Sequence, residues 1–396
     1  MTVAMVTPRY APAIGGVERH VEAIAHGLLK RNIGVEVITT DPTRQLPPVE
    51  ERDGILVRRF PTVANDGVYF VSPELGFWLG KHIERFDVLH AHNYHAAVTI
   101  HAALANRRHG VPLILTPHYH GTGSTFFRNL LHLPYRAFGN WVLKQAQQII
   151  CVSSAEEKLL HQHFGQLPTS VIPNGIEVEA LSQAEAYPKA EGRVIVLAVG
   201  RMEAYKQIYK LITALPHLPP EYEAVIIGTG VMFEALQRLA DDLGVSGRLR
   251  LLGQVSQQEL LSWYRTADVL VSMSLHESFG LTLLEAAAAG ATIVASDIPA
   301  HLETARYLAD DQIALVPSDS EADALAQAIQ QAGRRGHVSG SVCSSLPTWN
   351  SVSEAVLACY QTILDTSVPH HRLAQERMSY AGNANSTTNR RSHVSR

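Results

Sequence analysis

Twice along this chain a series of short β-branched and apolar runs alternates with longer segments of helical period. That double alternation restricts the fold more than any other feature. Val3–Val6, Val35–Thr40, Ile55–Phe60, Val88–Ala91, Pro112–Thr116 and Gln148–Val152 read as strands, and helical stretches such as Val17–Lys30, Ala96–Arg108 and Leu130–Gln145 separate them. The pattern restarts with Val194–Val199, Glu223–Ile227, Arg248–Leu252, Val269–Met273, Thr292–Ala295 and Ile313–Val316. Strands that are apolar on both faces and joined by helices belong to parallel sheets buried in βαβ units. Ser154 with Glu157, and Ser256 with Glu259, have the capping-box spacing and are expected to open helices.

Between the two series, Ile172-Pro173-Asn174-Gly175 is a turn signal, and a polar stretch follows it to Gly192. The hinge is expected there. With 396 residues the chain can build two domains, each with its own core. This places one Rossmann-like, doubly wound domain over 1–180 and a second over 190–365. Residues 366–396 hold five Arg and one acidic residue amid Ser, Asn and Thr, which reads as a disordered tail, with a weak anionic-surface contact left open. Two such sheets side by side leave a cleft at the carboxyl ends of their strands, where ligands bind. A formal charge of −4, from 33 basic and 37 acidic side chains, gives no global reason to expect nucleic acid. Cys151, Cys343 and Cys359 form neither a disulfide framework nor a zinc spacing, so a reducing cytoplasm is expected. The N-terminus lacks a basic leader, and no apolar run approaches the roughly 20 residues that cross a bilayer.

Three motifs carry chemistry. Gly15-Gly16 follows the first strand and enters a helix, where adjacent glycines let the backbone approach a ligand and the free N–H groups attract phosphate. It is neither the three-glycine dinucleotide fingerprint nor a P-loop, and a plain tight turn is the competing reading. Gly200-Arg201-x4-Lys206 repeats the arrangement at the first strand of the second half. Arg grips a diphosphate with a planar fork and Lys adds a point charge, although two solvated cations would look the same. The third motif is His276-Glu277-Ser278-Phe279-Gly280-Leu281 running on to Glu285. A loop carboxylate at Glu277 can accept hydrogen bonds from sugar hydroxyls. Glu285 lies in the apolar run Leu-Leu-Glu-Ala-Ala-Ala-Ala, where a charge must be paired. That partner is a ligand hydroxyl on one reading and a structural Arg on the other.

Taken together, Gly-Gly near the start, Gly-Arg-x4-Lys, Glu-Ser-Phe-Gly-x4-Glu-Ala and the intervening Ile-Pro-Asn-Gly-Ile resemble the family-four retaining glycosyltransferases with the GT-B fold. The resemblance covers about residues 1–365. It implies hexosyl transfer from a UDP- or GDP-sugar, with retention and without a metal or bound cofactor, to a glycan, lipid-linked or small-molecule hydroxyl acceptor. It assigns Arg201 and Lys206 to the donor diphosphate, Glu277 to hydroxyls of the transferred sugar, Glu285 to the ribose, and the Gly16 backbone to the distal phosphate. Gly15, Gly200, Phe279, Gly280 and Leu281 complete the donor pocket, and the last helix is expected to pack back on the N-terminal domain. One departure stands out: Gln207 follows the lysine where the family usually has glycine. Tyr205 before the lysine is also unusual, and contact with the base or sugar is its functional reading.

Eight of the 20 histidines lie between His82 and His120. Clustered His with Asp suggests a metal, but His90 and His92, two apart on a strand, can equally stack as neutral hydrogen bonders. In the similar enzymes a histidine after this strand lies by the reacting sugar, which assigns that contact to His118. His92, Tyr119 and His120 are further acceptor-side candidates. Phe126 to Arg136 mixes bulky apolar residues with Arg; it reads as a peripheral bilayer contact that receives a lipid-linked acceptor, or as an ordinary amphipathic helix and loop. The competing functions are a nucleotide-sugar epimerase or a phosphorylase, a non-catalytic nucleotide-sugar binder, and a metal hydrolase built on the histidines.

Overall fold

In the computed structural model, residues 1–13, 15–63, 69–121, 138–337 and 346–366 are described. The first series builds an eight-stranded sheet in the order β3-β4-β2-β1-β5-β6-β7-β8. Its strands are β1 (Thr2–Val6), β2 (Gly34–Asp41), β3 (Val49–Arg52), β4 (Ile55–Pro61), β5 (Val88–His92), β6 (Leu113–Thr116), β7 (Gln148–Cys151) and β8 (Thr169–Val171). All pairings are parallel except β3 against β4. Helices α1 (Gly16–Leu29), α2 (Pro73–His82), α3 (Ala97–His109), α4 (138–143) and α5 (Ser154–Phe164) accompany it.

The second series builds a six-stranded, fully parallel sheet in the order β11-β10-β9-β12-β13-β14. It contains β9 (Val194–Val199), β10 (Tyr222–Ile227), β11 (Leu249–Gly253), β12 (Val269–Ser272), β13 (Thr292–Ser296) and β14 (Ile313–Val316). The helices are α6 (Val178–Gln183), α7 (Tyr209–Ala214), α8 (Phe233–Asp242), α9 (Gln257–Thr266), α10 (Leu281–Ala288), α11 (Pro299–Thr304) and α12 (Ala322–Arg335), followed by α13 (349–366).

Alternating side chains explain why the central strands are apolar throughout. Val3 and Met5 enter one core while Ala4 and Val6 enter the other, and Ile195 and Leu197 oppose Val196 and Ala198 in the same way. The central strands are thus sandwiched between two helical layers. The chain runs outward from β1 to β2 and later returns on the other side at β5, and it does the same from β9 to β10 and then β12. These two switch points are where doubly wound sheets open a binding crevice, and here both crevices face one cleft.

Two strands escaped the sequence reading. β3 is Val-Glu-Glu-Arg, with no apolar run to reveal it, and it exists because Asp53-Gly54, both at positive φ (51° and 81°), turns it into a hairpin with β4. β8 is only three residues long. The N-cap of α5 is Ser153, whose hydroxyl accepts the Glu156 N–H, so the cap lies one residue before the predicted one at Ser154. The Ser256–Glu259 capping box forms as expected. The polar stretch after the hinge contains α6, which the sequence reading left without structure. Phe126 to Arg136, the first half of Leu130–Gln145 and all but the first residue of the proposed tail lie outside the described residues. Cys151 and Cys359 are unbridged, and among the described residues no helix is long and apolar enough to cross a membrane.

The last helix, α13, belongs to the first sheet although it follows the second in sequence. Val352, Val356, Tyr360 and Ile363 pack with Val3, Met5, Val21 and Ile24. Its start is threaded against the hinge, where the Ile176 N–H donates to Pro347 O at 2.9 Å. Gly175 makes that approach possible. A Cβ there would lie 2.4 Å from Trp349 N and 2.6 Å from the Thr348 carbonyl carbon, both backbone atoms that cannot swing away.

Gly175→Ala should therefore cost about 1–3 kcal/mol by overpacking and lower Tm by several degrees. Gly80→Ala, inside α2 with nothing within 4 Å of the new methyl, should leave Tm unchanged or raise it. Differential scanning calorimetry reads both, and equal shifts would refute the close approach.

Candidate active site

The cleft brings two helix amino ends together. The N-cap of α1 is Gly15 and that of α10 is Gly280, and neither has a side-chain cap, so their first N–H groups remain available to an anion. A charged pair joins the two helices. Arg19 Nη1 on α1 donates to Glu285 Oε1 on α10 at 2.9 Å, and Glu285 Oε2 accepts from the Tyr264 hydroxyl at 2.7 Å. Arg19 also donates to Gln257. Glu285 is only 6% exposed, and both its oxygens are engaged within the protein. The structural alternative for this residue is the one realised here.

A second pair lies within the C-terminal domain. Lys206 Nζ donates to Glu277, and both side chains are largely sheltered. Burial alone would raise the Glu277 pKa. Lys206, aided by His301 and by hydrogen bonds from Lys206 and Ser274, outweighs it and holds the carboxyl below its usual range. The carboxylate is thus ionised around neutral pH. Arg201 extends into solvent, donates to the Tyr205 hydroxyl at 2.8 Å, and interacts electrostatically with Glu18 of α1 across the cleft. Tyr205 therefore serves as a rest for the guanidinium in this state.

The loop carrying these cations depends on residues that sequence reasoning passed over. Gly200 N donates to Ile227 O at 2.9 Å and Met202 N to Thr229 O at 2.8 Å, seating the loop on Gly228-Thr229-Gly230. A Cβ on Gly228 would sit 1.9 Å from Gly200 O. Two glycines spaced by one residue at the end of β10 were the available signal. Gln207, the departure from the family pattern, has φ 47° and ψ 35°, the left-handed conformation that glycine adopts without cost. Its amide compensates by donating to Met273 O and Ser318 O, both at 3.0 Å.

His301 was also missed. It is fully buried, its Nδ1 lies 2.9 Å from Ser296 O, and its Nε2 has no hydrogen-bond partner among the described residues. A Cβ on Gly280 would lie 3.4 Å from its Cδ2, so the ring backs the start of α10. Phe279 is 2% exposed and packs with Val152, Ile176 and Leu284, supporting the loop from beneath instead of lining an open pocket. Leu281 is half-buried at the first turn of α10.

On the other wall, His20, His92 and His118 converge. One ring nitrogen from each lies within 4.8 Å of the others, and among the described residues these three could hold a metal ion. His20 Nδ1 is 2.7 Å from Asn174 Oδ1 of the hinge, so Nδ1–H donates and Nε2 keeps its lone pair. That Nε2, both nitrogens of His92, and Nε2 of His118 have no partner among the described residues. His90 instead bonds the Tyr360 hydroxyl (2.6 Å) and Thr116 (2.8 Å), which makes it part of the scaffold. Burial lowers the pKa of His20 to about 4 and those of His90, His92 and His118 well below the ordinary value. The cluster is neutral. His118 has φ 48°, and such a left-handed conformation persists only where surrounding contacts impose it.

Two acceptor-side candidates do not join this group. Tyr119 turns its ring into the core against Tyr94 and Phe164, with its hydroxyl 2.7 Å from His163 Nδ1. This corrects its placement on the cleft wall, because a side chain that follows a left-handed residue leaves on the opposite side. His120 stacks on His95, 5.6 Å between ring centres, beside Tyr119.

Comparison with known proteins agrees with this arrangement. The family model described as Glycosyltransferase Family 4 matches residues 14–180, and that described as Glycosyl transferases group 1 matches residues 181–335. A phosphatidyl-myo-inositol mannosyltransferase of Mycolicibacterium smegmatis is 33% identical over 387 residues, covering 92% of this chain and 94% of that protein. Among solved structures, sucrose-phosphate synthase from Thermosynechococcus elongatus superposes with a TM-score of 0.76 at 20% identity, over 92% of this chain and 99% of the other. Anabaena Alr3699/HepE, in complex with UDP and glucose, gives 0.71 at 17% identity, over 90% and 99%.

Two outcomes follow from this geometry. The buried imidazoles titrate lower in the fold than in the unfolded chain, so the unfolded chain binds more protons as pH falls below 6.5. Stability present above pH 6.5 should drain away toward pH 4, His20 alone accounting for about 3 kcal/mol, and urea midpoints at stepped pH would show it. At position 207 the expected order of stability is Gln, then Gly, then Ala. Ala keeps a left-handed penalty of about 1 kcal/mol and has no amide to offset it. Thermal melts that rank Ala above Gly would refute the backbone argument.

Proposed function

Because the chain belongs to the family-4 glycosyltransferases of GT-B fold, and is therefore a glycosyltransferase, we propose that it uses a UDP- or GDP-hexose as donor. The hexosyl group goes to a hydroxyl of a glycan, lipid-linked or small-molecule acceptor, with retention of configuration and without a metal. The observation that carries this reading is one convergence at the ends of β9 and β12. Arg201, the Lys206–Glu277 pair and the uncapped start of α10 meet there, opposite the uncapped start of α1. UDP is the first base to test, since the Anabaena neighbour is in complex with it.

In this proposal the donor diphosphate lies between Arg201, Lys206 and the two helix starts. Lys206 has three N–H donors, so it can keep Glu277 while reaching a phosphate oxygen. As the bond between sugar and phosphate lengthens, negative charge grows on the diphosphate and positive charge on the ring. The cations and helix N–H groups stabilise the first, and removing one such group typically costs about 10²–10³ in rate. Glu277 remains ionised beside Lys206 and accepts from sugar hydroxyls, fixing the ring. Glu285 takes the ribose hydroxyls if Arg19 shares or yields its oxygen. His118 and His92, neutral and with unpartnered nitrogens, lie where the acceptor hydroxyl enters. The retained configuration follows from same-face attack, a donor phosphate oxygen taking the acceptor's proton.

Thermal-shift screening against nucleotide sugars should single out a donor, because ligand bound to the folded state raises apparent stability. With that donor, Lys206→Ala and Glu277→Ala should each reduce transfer at least 100-fold with the fold intact by circular dichroism. Activity should survive exhaustive chelation, and proton NMR of the product should show the donor's anomeric configuration. Near-wild-type turnover in either variant would refute the role given to that residue.

A further inference from the structure

One junction in the first domain grips both sides of the cleft. Ser153, the N-cap of α5, donates its hydroxyl hydrogen to the carbonyl of Ser278, the residue after Glu277, at 2.7 Å. Glu156, three residues further along, is 2% exposed and hydrogen-bonds in two directions. One carboxylate oxygen accepts the Val152 N–H at 2.7 Å, and the other accepts the Tyr119 N–H. That second bond holds the peptide between Tyr119 and His118, the strained residue at φ 48°. Histidine visits this conformation more readily than most residues with a Cβ, yet the left-handed region remains disfavoured for it. A contact from outside must impose it.

We infer that Glu156 is a positioning residue for the transfer reaction. Its carboxylate locks the His118–Tyr119 peptide so that the His118 imidazole faces the cleft. Through Ser153 the same turn fixes that imidazole relative to the Glu277 loop. The inference rests on the proposed function, since it needs His118 to meet the reacting groups. Glu156 itself touches neither donor nor acceptor.

The clamp is complete only when both oxygens are acceptors, which is the ionised form. Burial raises the Glu156 pKa to about 8, opposed by the two N–H donors, with Glu303 of α11 adding repulsion. Cys151 at the end of β7 and Glu157 on α5 are the other titratable groups close by. Glu303 is itself occupied by the N–H groups of Ser154 and Ala155, at 2.7 and 2.9 Å. Protonation replaces one acceptor by an O–H, so the His118 peptide loosens as pH falls through about 8 and tightens as it rises.

Glu156→Gln tests this, because the amide keeps the shape but turns an NH2 toward one of the two N–H groups. The expected result is a 10- to 100-fold fall in kcat with donor KM within twofold. The kcat rise of the wild-type enzyme through pH 8 should flatten, and hydrogen exchange should quicken across residues 117–121. Wild-type kcat and pH profile in the variant would overturn the proposal, as would lost activity with unchanged exchange in that segment. If the variant does not fold, exchange of residues 117–121 in the wild-type protein decides the matter. Intrinsic-rate-corrected protection should rise through pH 8, and a flat profile would overturn the clamp. A wild-type protein that binds nucleotide sugar yet transfers nothing sinks the proposed function, and this reading with it, whereas failure of the clamp alone leaves transfer intact.

Discussion

Everything in the cleft depends on keeping carboxylates charged where little water reaches them. An ionised side chain in such a place costs several kcal/mol unless a cation and hydrogen bonds surround it. Among the described residues, Lys206 against Glu277 and Arg19 against Glu285 meet this requirement. The second pair spans the two domains, so the electrostatic need of one helix in the C-terminal half is met by the first helix of the chain.

The parallel sheets explain why the charges can be placed so closely. Each domain ends its strands at the cleft, and each presents a helix start with unused N–H groups there. Loops at these ends are short and lie directly on one another, as Gly200 does on Gly228. The opposing wall is built on another principle. Its imidazoles are neutral and buried, so they neither repel an approaching cation nor attract a stray anion. The histidine cluster is thus uncharged, while the loop after β9 carries the cations Arg201 and Lys206.

Much of this was legible in the residues. Val194–Val199 was read to its end residues because a strand buried on both faces leaves a continuous apolar run. β3 was not, since Val-Glu-Glu-Arg owes its strand conformation to a neighbour and a two-residue turn. The cap of α5 slipped by one residue because Ser153 and Ser154 are adjacent and both have a Glu three residues on. Gln207 stood out in the sequence as a departure, yet the cost and its remedy became visible only with φ and the partners of the amide.

The sequence by itself determined the two doubly wound domains, the positions of the cations and carboxylates along the chain, and the requirement that Glu285 be paired. Those follow from periodicity and desolvation, which act over a few residues. Only the tertiary structure decided which groups met. Arg19 reaches Glu285 across a separation of 266 residues, α13 returns to the first sheet, Tyr119 turns inward while His118 turns toward the cleft, and His301 backs the start of α10. Local pattern fixes what each segment needs, but the partner that satisfies the need is chosen by chain topology, which no short stretch of residues encodes.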